Sequence, residues 1–437
     1  MIKKLIQGVL AASARRAINR DKPTVVAITG SLGKSSTKEA VAVALGARDA
    51  GSGVRATQKN YNNEYGVPFT ILDVKAPGRD PVKWLAVLWK ALWVGWGFGR
   101  VNAKVLVLEM GADHKGDLAH LVSIARPDIA VVTSVAPAHT EFFGTLEEVA
   151  EEKATLVRSL KKNGVAILNN DDPRVTSMRK DFKGEAVYYG ESEGSDVRVH
   201  QVSIEVEEGT KYGAVPRGVT VFIETDGKQL VTHLQGTIGS PQAAATAAAL
   251  AVADHFDILP ETAIDRLQRD YHGIPGRTRI IPGIKYTTII DDSYNAASSQ
   301  AVLSAIRDLA AIPLGGKQRR IAALGDMREL GTYSEEAHRS VGREAFSAGI
   351  DELVTCGTLA ATIAGAAEEA GMEKNHIHRF DSSEDGGRFL QDLVKPGDVI
   401  LVKGSQGSRM EKIVKELMAE PLQAPFLLVR MTADWMN

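Results

Sequence analysis

The stretch TVVAITGSLGKSSTKEA, residues 24–40, limits the fold more than any other. Thr24–Thr29 is an unbroken apolar, β-branched run, as expected of a strand buried on both faces of a parallel sheet. A glycine-bearing loop follows at once, and a helical pattern opens at about Ser35. Strand, tight loop and helix N-terminus in that order make a cradle for an anion, because the first helical N–H groups have no partners of their own. Gly30 and Gly33 let the backbone turn and approach a phosphate, Lys34 offers a cation to the β- and γ-phosphates, and Ser35 offers a hydroxyl to Mg²⁺. The common nucleotide loop has a glycine five places before Gly33, where this chain has Ile28, so the loop is a shorter form.

The pattern recurs downstream. Lys104–Met110, Ile129–Val135 and Gly164–Asp172 read as further strands of a parallel sheet. From Val197 to Leu234 the pattern alternates with period two around Asp226-Gly227, which predicts antiparallel hairpins, and Pro241–Ala253 predicts an alanine-rich helix. HGIPGRTRI, residues 272–280, is a Gly/Pro-punctuated boundary. A fresh α/β pattern follows, with strands expected over Tyr286–Asp292, Arg319–Asp326, Asp351–Gly357 and Asp398–Gly404. The expected class is α/β: a P-loop-type central parallel-sheet domain with an antiparallel hairpin region over residues 1–275, then a Rossmann-like domain over 276–437.

Composition narrows the function. A net charge of −2 gives no electrostatic case for nucleic acid. The single cysteine, Cys356, excludes an internal disulfide and a Cys-rich zinc site. MIKKLIQGVLAASARR imitates a secretion leader, but Gln7 breaks the apolar run and Arg15-Arg16 follow it; an amphipathic opening helix and a cytoplasmic, monomeric protein are expected. Residues 81–100 hold four of the five tryptophans as an insertion that includes Trp84 to Trp96. Lys83 and Lys90 leave it short of the ~20 apolar residues of a membrane span, so a helix packed on the body or one lying on a membrane interface is expected.

Three further residues carry chemistry. Glu109 ends an apolar strand, where a carboxylate can hold Mg²⁺ beside phosphates. His139 follows another strand, and Lys153 sits in an acidic helix; a structural histidine and solvated helix pairing are the ordinary readings of these two.

ITGSLGKSSTKE, NYNNEYGVPFTIL, VLEMGADHKGDL, ARPDIAVVTSVAPAHTEFFGTLEEVAEEKATLV, LNNDDPRV, PGRTR, DDSYNA, LGDMRELGTYSEEAH and ILVKGSQGSRMEKIV occur in this order over Pro23–Val414. Together they resemble the Mur ligases, and NNEYGVP with DDSYNA resembles the branch that adds D-alanyl-D-alanine to a UDP-muramoyl-tripeptide. The resemblance implies an ATP-dependent carboxylate–amine ligase that works through an acyl phosphate. Gly30, Ser31, Gly33, Lys34, Ser35 and Ser36 are then the phosphate loop, and Ser35 with Glu109 serves the first of two Mg²⁺ ions. His139 matches the second-metal histidine, and Lys153 matches a lysine that this family carries as a carbamate. Arg277 would lie at the interdomain hinge near phosphate, Asp292 at the ribose, and Tyr294 and Asn295 near the nucleotide. Asn62, Asn63 and Glu64 match a loop near the substrate junction, and Lys403, Gly404 and Ser405 a loop facing the acceptor.

Several positions depart from the family pattern. Gln242 stands where an asparagine meets adenine, and Ala297-Ser298 replaces Asn-Pro. Only 28 residues precede Thr29, where the family places a UDP-binding domain of roughly a hundred residues, so a member lacking that domain is expected. Folylpolyglutamate- and cyanophycin-synthetase-like ligases and a non-catalytic nucleotide-binding scaffold are the alternatives. A ligase paired with an amidotransferase through a four-cysteine zinc site is disfavoured by the cysteine count.

Overall fold

A computed structural model describes residues 2–58, 61–137 and 143–431. Thr24–Thr29 forms β1, an interior strand of a nine-stranded sheet, between β3 (Val105–Glu109) and β4 (Ile129–Val132), parallel to both. Outward from β3 lies β2 (Val54–Ala56); outward from β4 lie β5 (Val165–Asn169) and β6 (Glu185–Gly190). The period of two along β1 divides its side chains between two cores. Val26 and Ile28 face the helices Lys34–Ala44 and Ser240–Asp254. Val25 and Ala27 face the helices Ile2–Asp21, Gly66–Leu72, Asp117–Ile124 and Leu146–Arg158. Coverage on both faces explains why the central strands read as continuous apolar runs.

The expected hairpins are present, and they extend this sheet instead of forming a layer of their own. β7 (Val197–Thr210) pairs briefly with β6 in parallel, and β8 (Gly213–Thr225) and β9 (Lys228–Gln235) continue antiparallel. The long β7–β8 arm reaches the second sheet. There the Gln318 side chain accepts from Ala214 N (2.8 Å) and donates to Ala214 O (2.8 Å) and Gly397 O (2.7 Å). The rings of Tyr212 and Tyr286 stack beside it at 4.6 Å.

The second sheet has six strands in the order β10 (Arg279–Pro282), β11 (Thr288–Asp292), β15 (Val399–Lys403), β12 (Arg320–Gly325), β13 (Glu352–Cys356), β14 (Ile377–Phe380). All neighbours are parallel except β10.

The opening segment is the single helix Ile2–Asp21, and the tryptophan-rich segment is the helix Pro81–Gly95. Among the described residues no helix is long and apolar enough to cross a membrane.

Candidate active site

Strand order reverses around β1, so the loops after β1, β3 and β4 open onto one crevice at the carboxyl edge of the sheet, where such sheets bind ligands. Gly30 leaves β1 with φ +147°, against the end of β4. A Cβ at this position would lie 1.9 Å from Thr133 Oγ1 and 2.9 Å from Ser134 N, so only glycine fits. Ser31 N donates to Ser134 O at 2.8 Å, and the Ser31 hydroxyl donates to Ala136 O and accepts from Ala136 N. Ser31 therefore braces the loop with its side chain as well as its backbone. Gly33, at φ +81°, precedes the helix Lys34–Ala44, whose first turn has no side-chain cap. Its N–H groups and dipole face the crevice as an anion site does. Lys34 folds back over the loop, its Nζ donating to Gly30 O at 2.6 Å and Ser31 O at 3.2 Å. Burial holds its ammonium below the ordinary value; Glu109 opposes that shift and Arg277 adds to it.

Glu109 closes β3 and is buried. Its Oε1 accepts from Asn62 Nδ2 at 3.1 Å, while its Oε2 is buried without a hydrogen-bond partner among the described residues. A buried carboxylate oxygen without a partner is costly, and a cation beside it removes that cost. The described residues contain no preformed cluster of three His, Cys, Asp or Glu side chains, and Glu109 offers a buried carboxylate oxygen with no hydrogen-bond partner among them. His139 lies outside the described residues.

Lys153 lies in the helix Leu146–Arg158, which opens with a capping box between Thr145 and Glu148. It is 3% exposed, so the solvated pairing read from its acidic neighbours does not apply. Burial pushes its ammonium down to about 7, and the charge of Lys34 pushes in the same direction. The adjacent Glu152 does not pair with it as a free carboxylate. Its oxygens accept from Gly116 N (2.9 Å) and Leu118 N (2.7 Å) at the start of the helix Asp117–Ile124. Asp113, which sequence reasoning passed over, acts electrostatically on both Lys34 and Lys153. Its place in ADHKGD, next to a strand-end carboxylate, was the available signal.

The loop expected near the substrate junction divides its work. Asn62 holds Glu109. Asn63 Oδ1 accepts from Tyr65 N (3.2 Å) and Gly66 N (3.0 Å) and shapes the entry to the helix Gly66–Leu72. Glu64 accepts from Gln7 Nε2 of the opening helix at 3.1 Å.

Across the crevice, Asp291 straps the interdomain linker. It accepts from Gly276 N (3.0 Å) and Ser293 Oγ (2.6 Å), and burial pushes its carboxyl up to about 6. Tyr294 N donates to Gly276 O, and the Arg277 guanidinium lies 4.3 Å over the Tyr294 ring. Arg277 thus stands beside Tyr294 and within electrostatic reach of Lys34, joining the hinge to the phosphate loop. Asn295 Oδ1 accepts from Ala296 N.

Two placements differ from expectation. Lys403 is not on a loop. It ends β15, where the parallel register sets it beside Asp292, and its buried Nζ donates to Asp292 Oδ2 at 2.6 Å and to Asn295 O at 3.1 Å. Gly404 follows the strand and packs on Met410 and Gly325, and Ser405 N donates to Asp326 O at 2.9 Å. Gln242, expected at the adenine position, is fully buried. Its Oε1 accepts from Tyr271 OH at 2.5 Å and its Nε2 donates to Thr278 Oγ1 at 2.9 Å. Tyr271 also meets Ser36, so a buried chain runs from the phosphate loop to the hinge.

A parallel-sheet unit with a shortened phosphate loop and a strand-end carboxylate, joined by a strapped hinge to a second Rossmann-like sheet, defines a nucleotide-using ligase architecture. The Mur ligase middle domain model matches residues 28–253 and the Mur ligase glutamate ligase domain model matches residues 276–406. The UDP-N-acetylmuramoyl-tripeptide–D-alanyl-D-alanine ligase of Bacillus subtilis is 30% identical over 401 residues, covering 91% of this chain and 76% of that protein. The Escherichia coli enzyme of the same name is 30% identical over 422 residues, covering 95% and 80%. The crystal structure of the MurF ligase of Thermotoga maritima in complex with ADP superposes with a TM-score of 0.74 at 28% identity, covering 94% of this chain and 83% of that one. The chain belongs to the Mur ligase family.

Proposed function

We propose that this chain is an ATP-dependent, ADP-forming ligase of peptidoglycan synthesis that joins D-alanyl-D-alanine to a UDP-muramoyl-tripeptide. Its relatives of that name support the substrate pair, and the ADP-bound Thermotoga structure supports the nucleotide. The observation that carries the reading is the unpartnered oxygen of Glu109, which shares one crevice with Lys34 and an uncapped helix N-terminus. In this reading the chain has two domains that divide near Pro275 and acts as a monomer on small-molecule substrates.

The reaction brings two anions together, so the site must neutralise both and align them. The γ-phosphoryl of ATP passes to the peptide carboxylate, ADP departs, the amine attacks the acyl phosphate, and phosphate leaves. Lys34, the loop N–H groups and Ser36 bind the phosphates, and Arg277 reaches them from the hinge. Asp292 accepts from the ribose hydroxyls while Tyr294 and Asn295 border the nucleotide. Gln242 stands at the position that meets adenine in the family, where its amide is held by Tyr271 and Thr278. Lys403 and Ser405 border the acceptor, and Asn62, Asn63 and Glu64 border the donor. Ser35 and Glu109 would hold Mg²⁺ at one position and His139 with carbamoylated Lys153 at a second, where the ions would supply positive charge beside the phosphates. A neutral, buried amine at Lys153 is the form that adds CO₂, which supports the carbamate.

The test is ADP and phosphate release from ATP and Mg²⁺ across donor and acceptor pairs. UDP-muramoyl-tripeptide with D-alanyl-D-alanine is expected to turn over. Turnover only with a folate and glutamate, or with another pair, would overturn the substrate assignment. No nucleotide turnover with any pair would favour the scaffold.

A further inference from the structure

We infer that the face built from the opening helix and the tryptophan helix is a docking surface for an anionic lipid bilayer, on which the protein lies without spanning it.

The helix Pro81–Gly95 has two apolar faces, and only one is used inside the protein. Val87, Ala91 and Val94 are buried against the body. The opening helix comes so close at its end that a Cβ on Gly95 would lie 2.8 Å from Ser13 Cα. Arg20 ties the two helices, donating to Val94 O at 2.8 Å and Gly99 O at 2.7 Å. Val82, Leu85, Trp89, Leu92, Trp93 and Trp96 recur every three or four residues, so they form one stripe on the opposite side. All six are exposed, Trp89 and Trp96 by 64% and 66%, and Phe98 beyond the helix by 71%. The rings of Trp89 and Trp93 stack at 5.2 Å, and Trp93 meets Phe98 at 5.0 Å. A helix that is apolar all round is ordinarily buried on every side, and a contiguous exposed stripe of this kind marks a contact surface.

Charge identifies what covers it. Residues 1–22 and 75–104 carry twelve lysines and arginines against two acidic residues, Asp21 and Asp80, whereas the rest of the chain has 40 basic and 52 acidic residues. Lys3, Lys4, Lys83 and Arg100 are exposed, and the Arg16 guanidinium lies 4.9 Å over the Trp96 ring. A second copy would bring the same positive face against this one, and the two would repel. A negatively charged lipid surface complements it: tryptophans seat at the headgroup level while lysines and arginines meet anionic headgroups.

The same helices stand behind the crevice. Gln7 donates to Glu64, and Trp84 packs on Tyr65 at 6.0 Å and on Phe69 at 6.1 Å, so a bilayer under this face lies behind the loop whose Asn62 holds Glu109.

The test is co-sedimentation of the full chain with large vesicles, either equimolar phosphatidylglycerol and phosphatidylcholine or phosphatidylcholine alone. The bound fraction is expected to be about tenfold or more higher on the anionic vesicles and to fall at high salt. Tryptophan emission should shift to shorter wavelength on binding. The combined Trp89→Ser, Trp93→Ser, Trp96→Ser variant should lose binding while keeping ADP formation in vesicle-free solution. Lys3→Glu, Lys4→Glu, Lys83→Glu together should abolish the preference for anionic lipid without touching the tryptophans. Equal binding to both vesicle types, or none, overturns the inference. So does a dimer in sedimentation velocity that the tryptophan variant dissolves while wild-type protein ignores vesicles, which would assign the face to a second copy.

Discussion

Lys153 is the residue whose setting departs furthest from its local sequence. EEVAEEKATL reads as a solvated acidic helix, yet the lysine is buried and its neighbour Glu152 is engaged in capping another helix. Because burial pushes its ammonium down to about 7, the amine gains a proton as pH falls through that value and ceases to be a nucleophile for CO₂. The ligase is therefore expected to lose turnover as pH drops below about 7 at fixed bicarbonate and to recover part of it with added bicarbonate, a dependence that a pH–rate series would read. If Lys153 carries the proposed carbamate, Lys153→Ala should lower kcat by roughly a hundredfold or more, and Lys153→Arg should not restore it, since a guanidinium adds positive charge where that reading requires an anion. Full activity in Lys153→Ala would sink the carbamate. Lys34 and Glu109 were readable from their places after apolar strands. Asn62 and Asp291 were marked only through the motifs that contain them, and Asp113 was passed over; their contacts, Asn62 on Glu109 and Asp291 on Gly276, were not readable because the partners come from other elements.

At the scale of elements, the buried strands were the most readable part. β1, β3, β4, β5, β11, β12, β13 and β15 all coincide with apolar runs, because burial on both faces leaves little room for polar residues. β2, β6, β10 and β14 escaped notice: each is short or half-buried, and all but β6 lie at a sheet edge, so their composition resembles a loop. The joint between β1 and its helix depends on one glycine. Gly30→Ala puts a methyl group into Thr133 and the Ser134 backbone, and the loop must leave its seat on β4. ATP affinity is expected to fall by about tenfold or more with the fold retained, measured by calorimetric titration and circular dichroism. Unchanged affinity would mean that the loop binds phosphate in a conformation other than this one.

Among the contacts that join the two sheets, two lie far apart in the sequence. One is the Gly276 linker strapped by Asp291, which the PGRTR and DDSYNA stretches marked; the other is the hairpin tip on Gln318, which nothing in the sequence marked. Gln318→Ala removes hydrogen bonds worth about 0.5–1.5 kcal/mol each and should resolve thermal unfolding into two calorimetric transitions, where wild type gives one. A single, unshifted transition in the variant would show that the hairpin tip contributes nothing to holding the sheets together. Two separated attachments also restrict how the units can travel. A body fixed at one point can pivot in any direction, whereas a body fixed at two can turn only about the line between them. If Gly276 and Gln318 both stay fixed, any motion between the two sheets is a turn about the line joining them, like a door on its pins. In the proposed reading, a nucleotide entering the crevice would meet Arg277 and Asp292 along that one arc.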